Sequence, residues 1–455
     1  MAIQSKNPAT LEVTKSFDEL SDTALEQKIS NAYNFFHSWK NTSFNERAKL
    51  LHAHAKYLRA HAEDMAILAS IEMGKTKKAG ITEVEKCALV CDYYADNAES
   101  MLANQKIESN AKENYVSFEP LGVVLAVMPW NFPYWQVYRF IAPALMAGNV
   151  GLLKHASNVP QCAEAIEKAF LESGFPKEAF QNLFISSARV EKVIRDPRVM
   201  AVTLTGSENA GKSVASIAGS EIKKTVLELG GSDPFIVLED ADIESAAENA
   251  MIGRMQNNVG QSCIAAKRFI VLESVAEKFT KALLNYFSKL VIGDPLSLET
   301  NVGPLATEQG LLEVERQVNE SVKKGAKILY GGKRIGDKGY FFEPTILSNI
   351  SKGMPVYDEE TFGPIAPIIV VSSIDEAINV ANDTSFGLGA TIFSKDIENA
   401  KKLATKIEAG NVFINGSVRS DPRVPFGGIK HSGYGRELSD YGIKEFVNIK
   451  NVYIV

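Results

Sequence analysis

The stretch NVGLLKHASNVPQCAEAIEKAFLESGFPKEAFQNLFISSARVEKVIRDPRVMAVTLTGSENAGKSVASIAGSEIKKTVLELGG, residues 149–231, decides how this chain folds. It opens on the short apolar run NVGLLKH and passes into a helical pattern, VPQCAEAIEKAFLESG, that closes at Gly174. NLFIS, RVEKVIRD, VMAVTLTG and ENAGKSVASIAG continue the alternation, and KTVLELGG ends it as a strand. Short apolar strands alternating with helices of about 10–15 residues imply βαβ units and a parallel sheet. Right-handed crossovers then gather the strand ends around one crevice, where nucleotides bind.

Upstream, VSFEPLGVVLAVMP reads as strands and PYWQVYRFIAPALMAG as a helix ending at Gly148. The first hundred residues read as helices. From Asn45 to Ala69, Ala48, Leu51, Ala55, Leu58, Ala62 and Met65 recur at spacings of three and four. A second helix runs from about Val84 to Leu102. Downstream, Asp233 begins a second α/β run that reaches about Phe413, and the terminal KEFVNIKNVYIV is a strand with no obvious local partner, expected to pair elsewhere or across a subunit interface. No internal repeat or low-complexity segment interrupts this order.

Composition narrows the function classes. The 455 residues are 45% hydrophobic and 23% charged, which fits a globular protein of two or three domains. A formal charge of −6 gives no overall basicity for nucleic acid or an acidic membrane surface. Four cysteines cannot make a disulfide framework and fit a reducing cytoplasm. The polar start MAIQSKNPATLEV lacks the apolar core of a secretory signal, and GVVLAVM is far shorter than the ~20 residues of a membrane span. The expectation is a soluble, cytoplasmic protein.

Four motifs carry candidate chemistry. Gly206-Ser-Glu-Asn-Ala-Gly211-Lys212-Ser213 matches the phosphate-cradling loop of nucleotide triphosphatases, following a strand and opening a helix. It reads equally as a strand-to-helix turn in which two glycines admit a ligand and Lys212 is incidental. Cys263, in Gly260-Gln-Ser-Cys263, interrupts a helix with flexible polar residues, unlike Cys87, Cys91 and Cys162, which read as packing residues on helices. Glu228, before two glycines, sits at a strand's carboxyl end. Asn131, bracketed by Pro129 and Pro133, lies on a rigid loop suited to a preorganised amide donor. A thiol, a carboxylate and an amide beside a nucleotide fold fit covalent acyl chemistry.

PWNFP, GSENAG, ELGG, GQSC, EETFGP and PFGGIKHSGYGRE resemble, in this order, the signature motifs of the NAD(P)-dependent aldehyde dehydrogenase superfamily. The resemblance covers essentially the whole chain and turns the triphosphatase reading aside. It implies a Rossmann-type dinucleotide-binding domain (1–105 and 125–229), an α/β catalytic domain (230–431) and a small β oligomerisation element (106–124 and 432–455), assembled as a homodimer or homotetramer. It also implies that Cys263 attacks the aldehyde, that Asn131 and the Cys263 N–H hold the oxyanion, and that Glu228 activates water against the thioester. Because relatives that pass the acyl group to coenzyme A do not need that base, Glu228 favours a free acid as product.

The resemblance places Trp130, Lys154, Ser157, Gly206, Ser207, Gly211, Leu229, Glu360 and Phe362 around the cofactor. NAD-preferring members carry a glutamate where this chain has Ser157; a hydroxyl leaves room for a 2′-phosphate and Lys154 supplies its counter-charge, so NADP is expected, with NAD weaker. Arg139 matches an arginine that succinate-semialdehyde dehydrogenases carry in this motif, where it pairs with the far carboxylate of the substrate. Trp135, Arg268 and Ser420, with Arg419 and Arg423, are further tunnel candidates. The implied reaction takes succinate semialdehyde to succinate, with glutarate semialdehyde or aliphatic aldehydes as the alternative and a catalytically silent relative as the outlier. No metal is expected. Two departures stand out: Glu228 and Cys263 are one position further apart than is usual, through an extra residue near Val259, and Ala265 replaces a second cysteine, which removes a local disulfide switch.

Overall fold

The computed structural model describes residues 3–256 and 258–455. The alternation of residues 149–231 supplies four strands of a six-stranded sheet. Val123–Met128 pairs in parallel with Val150–His155 on one side and with Val199–Thr205 on the other. Phe180–Asn182 extends the first side and Lys224–Glu228 the second, again in parallel. The chain therefore builds outward from Val123–Met128, then crosses back to build the other way. That reversal opens a crevice at the carboxyl ends of Val123–Met128 and Val199–Thr205, the topological switch point of a doubly wound sheet. Residues 129–131 and 206–207 follow those two ends directly.

A seven-stranded sheet follows. Its centre is Ile365–Val371, Arg268–Leu272, Pro234–Val237 and Gly389–Phe393, all parallel, with Thr345–Ser348 and Asn411–Ile414 beyond them. The antiparallel Lys327–Tyr330 closes one edge. Three of these strands begin just after the motifs: Pro234 after the glycines that follow Glu228, Arg268 after Cys263, and Ile365 after Glu360. The amino ends of the second sheet thus meet the carboxyl ends of the first, and the candidate residues fall on the seam. Each sheet has its own apolar core.

Several expectations change. The amino terminus is an antiparallel hairpin, Ile3–Lys6 with Val13–Phe17, rather than helix. It is short and its second strand is mostly exposed, so it shows no strong alternation. A helix that periodicity did not separate, Asp22–Trp39, follows Ser21, whose side chain caps it. The single helix expected from Asn45 to Ala69 is two, Phe44–Ala60 and Ala62–Met73, joined at His61, where the backbone leaves helical geometry. The next helix starts earlier than expected, at Lys77, because Thr76 caps it. The terminal strand Val447–Ile454 has its partner within the chain, pairing antiparallel with Glu113–Pro120; Gln105–Lys106 completes that three-stranded sheet. Val123 and Val124 belong to the six-stranded sheet, as does Gly433–Tyr434, which runs antiparallel beside Lys224–Glu228. Among the described residues no helix is long and apolar enough to cross a membrane.

Candidate active site

A cavity of about 390 Å³ opens beside Cys263, within the range of small-molecule sites. Trp135, Arg139, Arg419 and Ser420 line it, as do Phe132 and Phe426. The first four are the tunnel candidates of the sequence. The Trp135–Met146 helix carries Trp135 and Arg139 inward because all its residues are buried; its amino terminus is held by Glu83, whose Oε1 accepts from the Tyr134 and Trp135 N–H groups at 2.8 and 2.9 Å. Lys75 pairs with Glu83 and lies 3.8 Å from the centre of the Phe132 ring. This buried pair fixes the loop on which Asn131 stands.

Cys263 is partly buried, and the four cysteines are all free thiols. Burial pushes the Cys263 thiol up to about 11, against the pull of Arg139 and Lys267 in the other direction, with Asp233 and Glu228 adding to the rise. In the absence of ligand the sulfur is therefore protonated at neutral pH. The Lys267 Nζ donates to the Cys263 carbonyl at 2.8 Å and to Glu360 Oε1 at 2.7 Å, tying the nucleophile's main chain to the EETFGP loop.

Glu228 is buried, and neither of its carboxylate oxygens has a hydrogen-bond partner among the described residues. Burial raises its pKa well above the carboxylate range; the nearby Glu437 raises it further, while Arg139 and Arg436 oppose the shift. This environment favours its neutral form. Asn131 donates from Nδ2 to the Gln261 carbonyl at 3.1 Å, and its own carbonyl accepts from Asn258 Nδ2 at 2.7 Å. Asn258 also donates to the Gln261 carbonyl at 3.0 Å, which stitches the Asn131 loop to the segment bearing Cys263. One N–H of Asn131 is thereby used in positioning and the amide's second N–H is left for an oxyanion.

Of the substrate candidates, Arg139 reaches the cavity and Arg268 does not. Arg139 is paired as well: its Nε lies 2.5 Å from Glu437, and the two side chains are 2% and 5% exposed. Its guanidinium also lies 4.7 Å from the Phe426 ring centre. Arg268 does not line the cavity; it is fully buried and donates to the carbonyls of Ser232, Val380 and Ala381. Each nitrogen of its fork goes to main chain, so it ties its strand to the segment before Pro234 and to the Ile374–Asn382 helix and does not bind substrate. Arg423 also stays outside, paired with Asp421 at 2.6 Å.

The cofactor candidates sit around the crevice. Ser207 caps the Glu208–Ser220 helix through the Ala210 N–H, and the Gly206 N–H donates to the Glu228 carbonyl at 3.0 Å. Gly211 is required by packing, because a Cβ there would lie 2.6 Å from Leu229 Cδ2. Lys212 pairs with Glu208 at 2.5 Å on the exposed face of that helix. Trp130 and Phe362 meet edge-to-face at 5.9 Å. Glu360 Oε1 accepts from the Gly231 N–H as well as from Lys267. Lys154 is 9% exposed and has no anionic partner among the described residues, beside an exposed Ser157. A buried, unmatched ammonium next to a small hydroxyl fits an added phosphate. No group of acidic, histidine or cysteine side chains able to hold a metal occurs among the described residues.

A thiol, a buried acid and a tethered amide, meeting where a doubly wound sheet abuts a second α/β sheet, define an enzyme that oxidises aldehydes through a covalent thioester. The chain belongs to the aldehyde dehydrogenase family, which it matches over residues 1–452. It is 51% identical, over all of both chains, to succinate-semialdehyde dehydrogenase [NADP(+)] 1 of Mycobacterium tuberculosis. It is also 51% identical at full coverage to a probable succinate-semialdehyde dehydrogenase [NADP(+)] of Synechocystis sp.. The crystal structure of succinic semialdehyde dehydrogenase from Streptococcus pyogenes, in complex with NADP+, superimposes with a TM-score of 0.97 at 43% identity, covering 99% of each chain.

Proposed function

We propose that this chain oxidises succinate semialdehyde to succinate, with NADP+ as the electron acceptor. The observation that carries the reading is the cavity shared by Cys263 and a wall of cations. Lys78, Lys86, Arg139, Arg254 and Arg419 line it, whereas its one carboxylate, Glu83, is matched by Lys75. A chain with a net charge of −6 has concentrated positive side chains around its nucleophile. That arrangement suits an aldehyde with a carboxylate at its far end.

The Cys263 thiol gives its proton to solvent in the open cavity and the sulfur bonds to the aldehyde carbon, giving a thiohemiacetal whose oxyanion the Asn131 amide and the Cys263 N–H stabilise. The bound nicotinamide supplies a hydride acceptor. Lys154 and Ser157 would meet the 2′-phosphate, the start of the Glu208–Ser220 helix would face the pyrophosphate, and Glu360 and Phe362 would hold the nicotinamide ribose and ring. Glu228, once deprotonated, takes a proton from water, which attacks the thioester; the carbon–sulfur bond breaks, succinate leaves and the thiol is restored. The free thiols support a cytoplasmic setting. The three-stranded sheet ending in Val447–Ile454 would serve assembly into a dimer or tetramer, because that strand has one edge unpaired and carries exposed Ile449, Tyr453 and Ile454.

The test is a matrix of aldehydes against NADP+ and NAD+, followed by absorbance of the reduced cofactor. The highest kcat/KM is expected for succinate semialdehyde with NADP+. Equal use of butanal would defeat the carboxylate assignment. A higher value with glutarate semialdehyde would lengthen the substrate. In the Glu228→Gln variant a burst of reduced cofactor should remain while steady-state turnover falls by about 100-fold or more, as expected when only hydrolysis of the acyl-enzyme loses its base. Loss of the burst as well would place Glu228 in the first half of the reaction.

A further inference from the structure

Lysine side chains are seldom fully buried unless paired, and Lys267 is 1% exposed. It stands just before the Arg268–Leu272 strand and does not line the cavity. Its own N–H donates to the Asp233 carbonyl at 2.9 Å, which fixes the root of the side chain. The ammonium at the other end lies where three motif segments meet. It donates to the Cys263 carbonyl at 2.8 Å and to Glu360 Oε1 at 2.7 Å, and sits 5.8 Å from the centre of the Phe362 ring. Glu360 Oε1 also accepts from the Gly231 N–H at 3.1 Å.

The ELGG segment leaves no slack around this junction. A Cβ on Gly230 would lie 2.5 Å from Glu360 Oε2, and one on Gly231 would lie 2.6 Å from the Cys263 carbonyl oxygen. With Oε1 taking both donors, Oε2 accepts from no group among the described residues and is left for a ligand hydroxyl. The main chain of EETFGP has other supports: Arg254 donates to the carbonyls of Thr361 and Gly363, and Gln317 Nε2 donates to that of Glu360 at 3.1 Å. Neither donates to the Glu360 carboxylate, whose orientation falls to Lys267 and the Gly231 N–H.

We propose that Lys267 is a positioning residue for hydride transfer. One ammonium holds the Glu360 carboxylate and the main chain of Cys263 at a fixed separation, so that a nicotinamide ribose on Oε2 is set against an aldehyde carbon on the sulfur. The assignment rests on the ribose contact proposed above for Glu360. Charge-assisted bonds make the spacing stiff, and a displacement of about 1 Å at the reacting atoms can cost about 100-fold in rate.

The experiment compares two ligands and one rate in the full-length enzyme. NADP+ spans the crevice, whereas adenosine 2′,5′-bisphosphate carries only the part that would meet Lys154 and Ser157. In Lys267→Met, calorimetry should show the dissociation constant of NADP+ raised about 10-fold while that of the bisphosphate changes by less than about 2-fold. At saturating NADP+ the burst of reduced cofactor should slow about 100-fold and show a deuterium isotope effect with succinate semialdehyde deuterated at its aldehyde carbon. Lys267→Gln guards against a folding defect and should repeat both results; Lys267→Arg should recover part of the loss. Equal weakening of the two ligands, a burst unchanged in Lys267→Met and Lys267→Gln, or a slowed burst without an isotope effect would overturn the assignment. Glu360→Ala separates it from the reading beneath it, since that variant should itself weaken NADP+ against the bisphosphate. If it does so and the Lys267 variants do not, only the role of Lys267 fails. If it does not, the ribose contact fails and the role of Lys267 with it.

Discussion

Arg139 shows how one side chain can line a cavity and hold a buried carboxylate at once. Removing it leaves Glu437 as a buried carboxylate with no counter-charge, and breaking a buried pair from one side costs about 3–5 kcal/mol. Arg139→Ala should therefore lower thermal stability by an amount of that order, whatever it does to catalysis. Arg139→Met combined with Glu437→Met should recover most of that loss, since no charge is then stranded; thermal melts of the two variants decide it. A comparable melt for single and double variants would show that the pair is not coupled. Cys263 invites a second test. With its thiol pushed up to about 11, the thiolate fraction in the ligand-free enzyme grows roughly tenfold per pH unit below that value. Alkylation by iodoacetamide should follow that slope between pH 7 and 10. A rate that levels off near pH 8 would mean that the resting sulfur is already activated.

Elements explain which parts of the site were legible. The strand ends that carry Asn131, Glu228 and the Gly206 turn could be read from alternation alone, because each lies next to the run that defines its strand. Lys86 could not: its partner Ser420 is 334 positions away, and on its own helix it looks like any solvated lysine. Asn258 was equally hidden, since it grips the carbonyl of Asn131 across 127 positions. The catalytic loop holds a third feature of this kind. Ahead of it the helix widens to a π turn at Ile252–Gln256, and then Val259 takes a φ of 54° and Gly260 a φ of 73°. A β-branched residue in left-handed backbone is strained by about 1–2 kcal/mol. The extra position anticipated near Val259 thus falls where the backbone departs from regular helix. Val259→Gly should relieve that strain and raise the melting temperature by a few degrees, or leave it unchanged if the added flexibility offsets the gain. Gly260→Ala should be severely destabilising, because a Cβ there would overlap the Gly363 carbonyl. A melt in which Val259→Gly is clearly destabilised would show that the valine side chain, which is buried, contributes more by packing than its backbone costs.

At the scale of the whole molecule, the division into two α/β sheets was readable because each sheet is covered by its own helices and each strand run is short and apolar. The third sheet was not readable as a pair, since Glu113–Pro120 and Val447–Ile454 lie far apart in the sequence and meet only in the fold. Its exposed face matters for assembly. Ile449 is 61% exposed and Tyr453 50%, on a strand whose outer edge offers unpaired main-chain groups. Natural proteins leave such an edge bare only when another surface covers it. Replacing Ile449 by Lys puts a charge on that face without touching either sheet of the catalytic unit. If the strand is the subunit contact, Ile449→Lys should shift the mass measured by light scattering toward the monomer, with the burst of reduced cofactor per subunit preserved because Cys263, Glu228 and Lys267 all come from one chain. An unchanged mass would move the contact to a different surface. A monomer that had lost the burst would mean that the cavity depends on its neighbour to keep its shape.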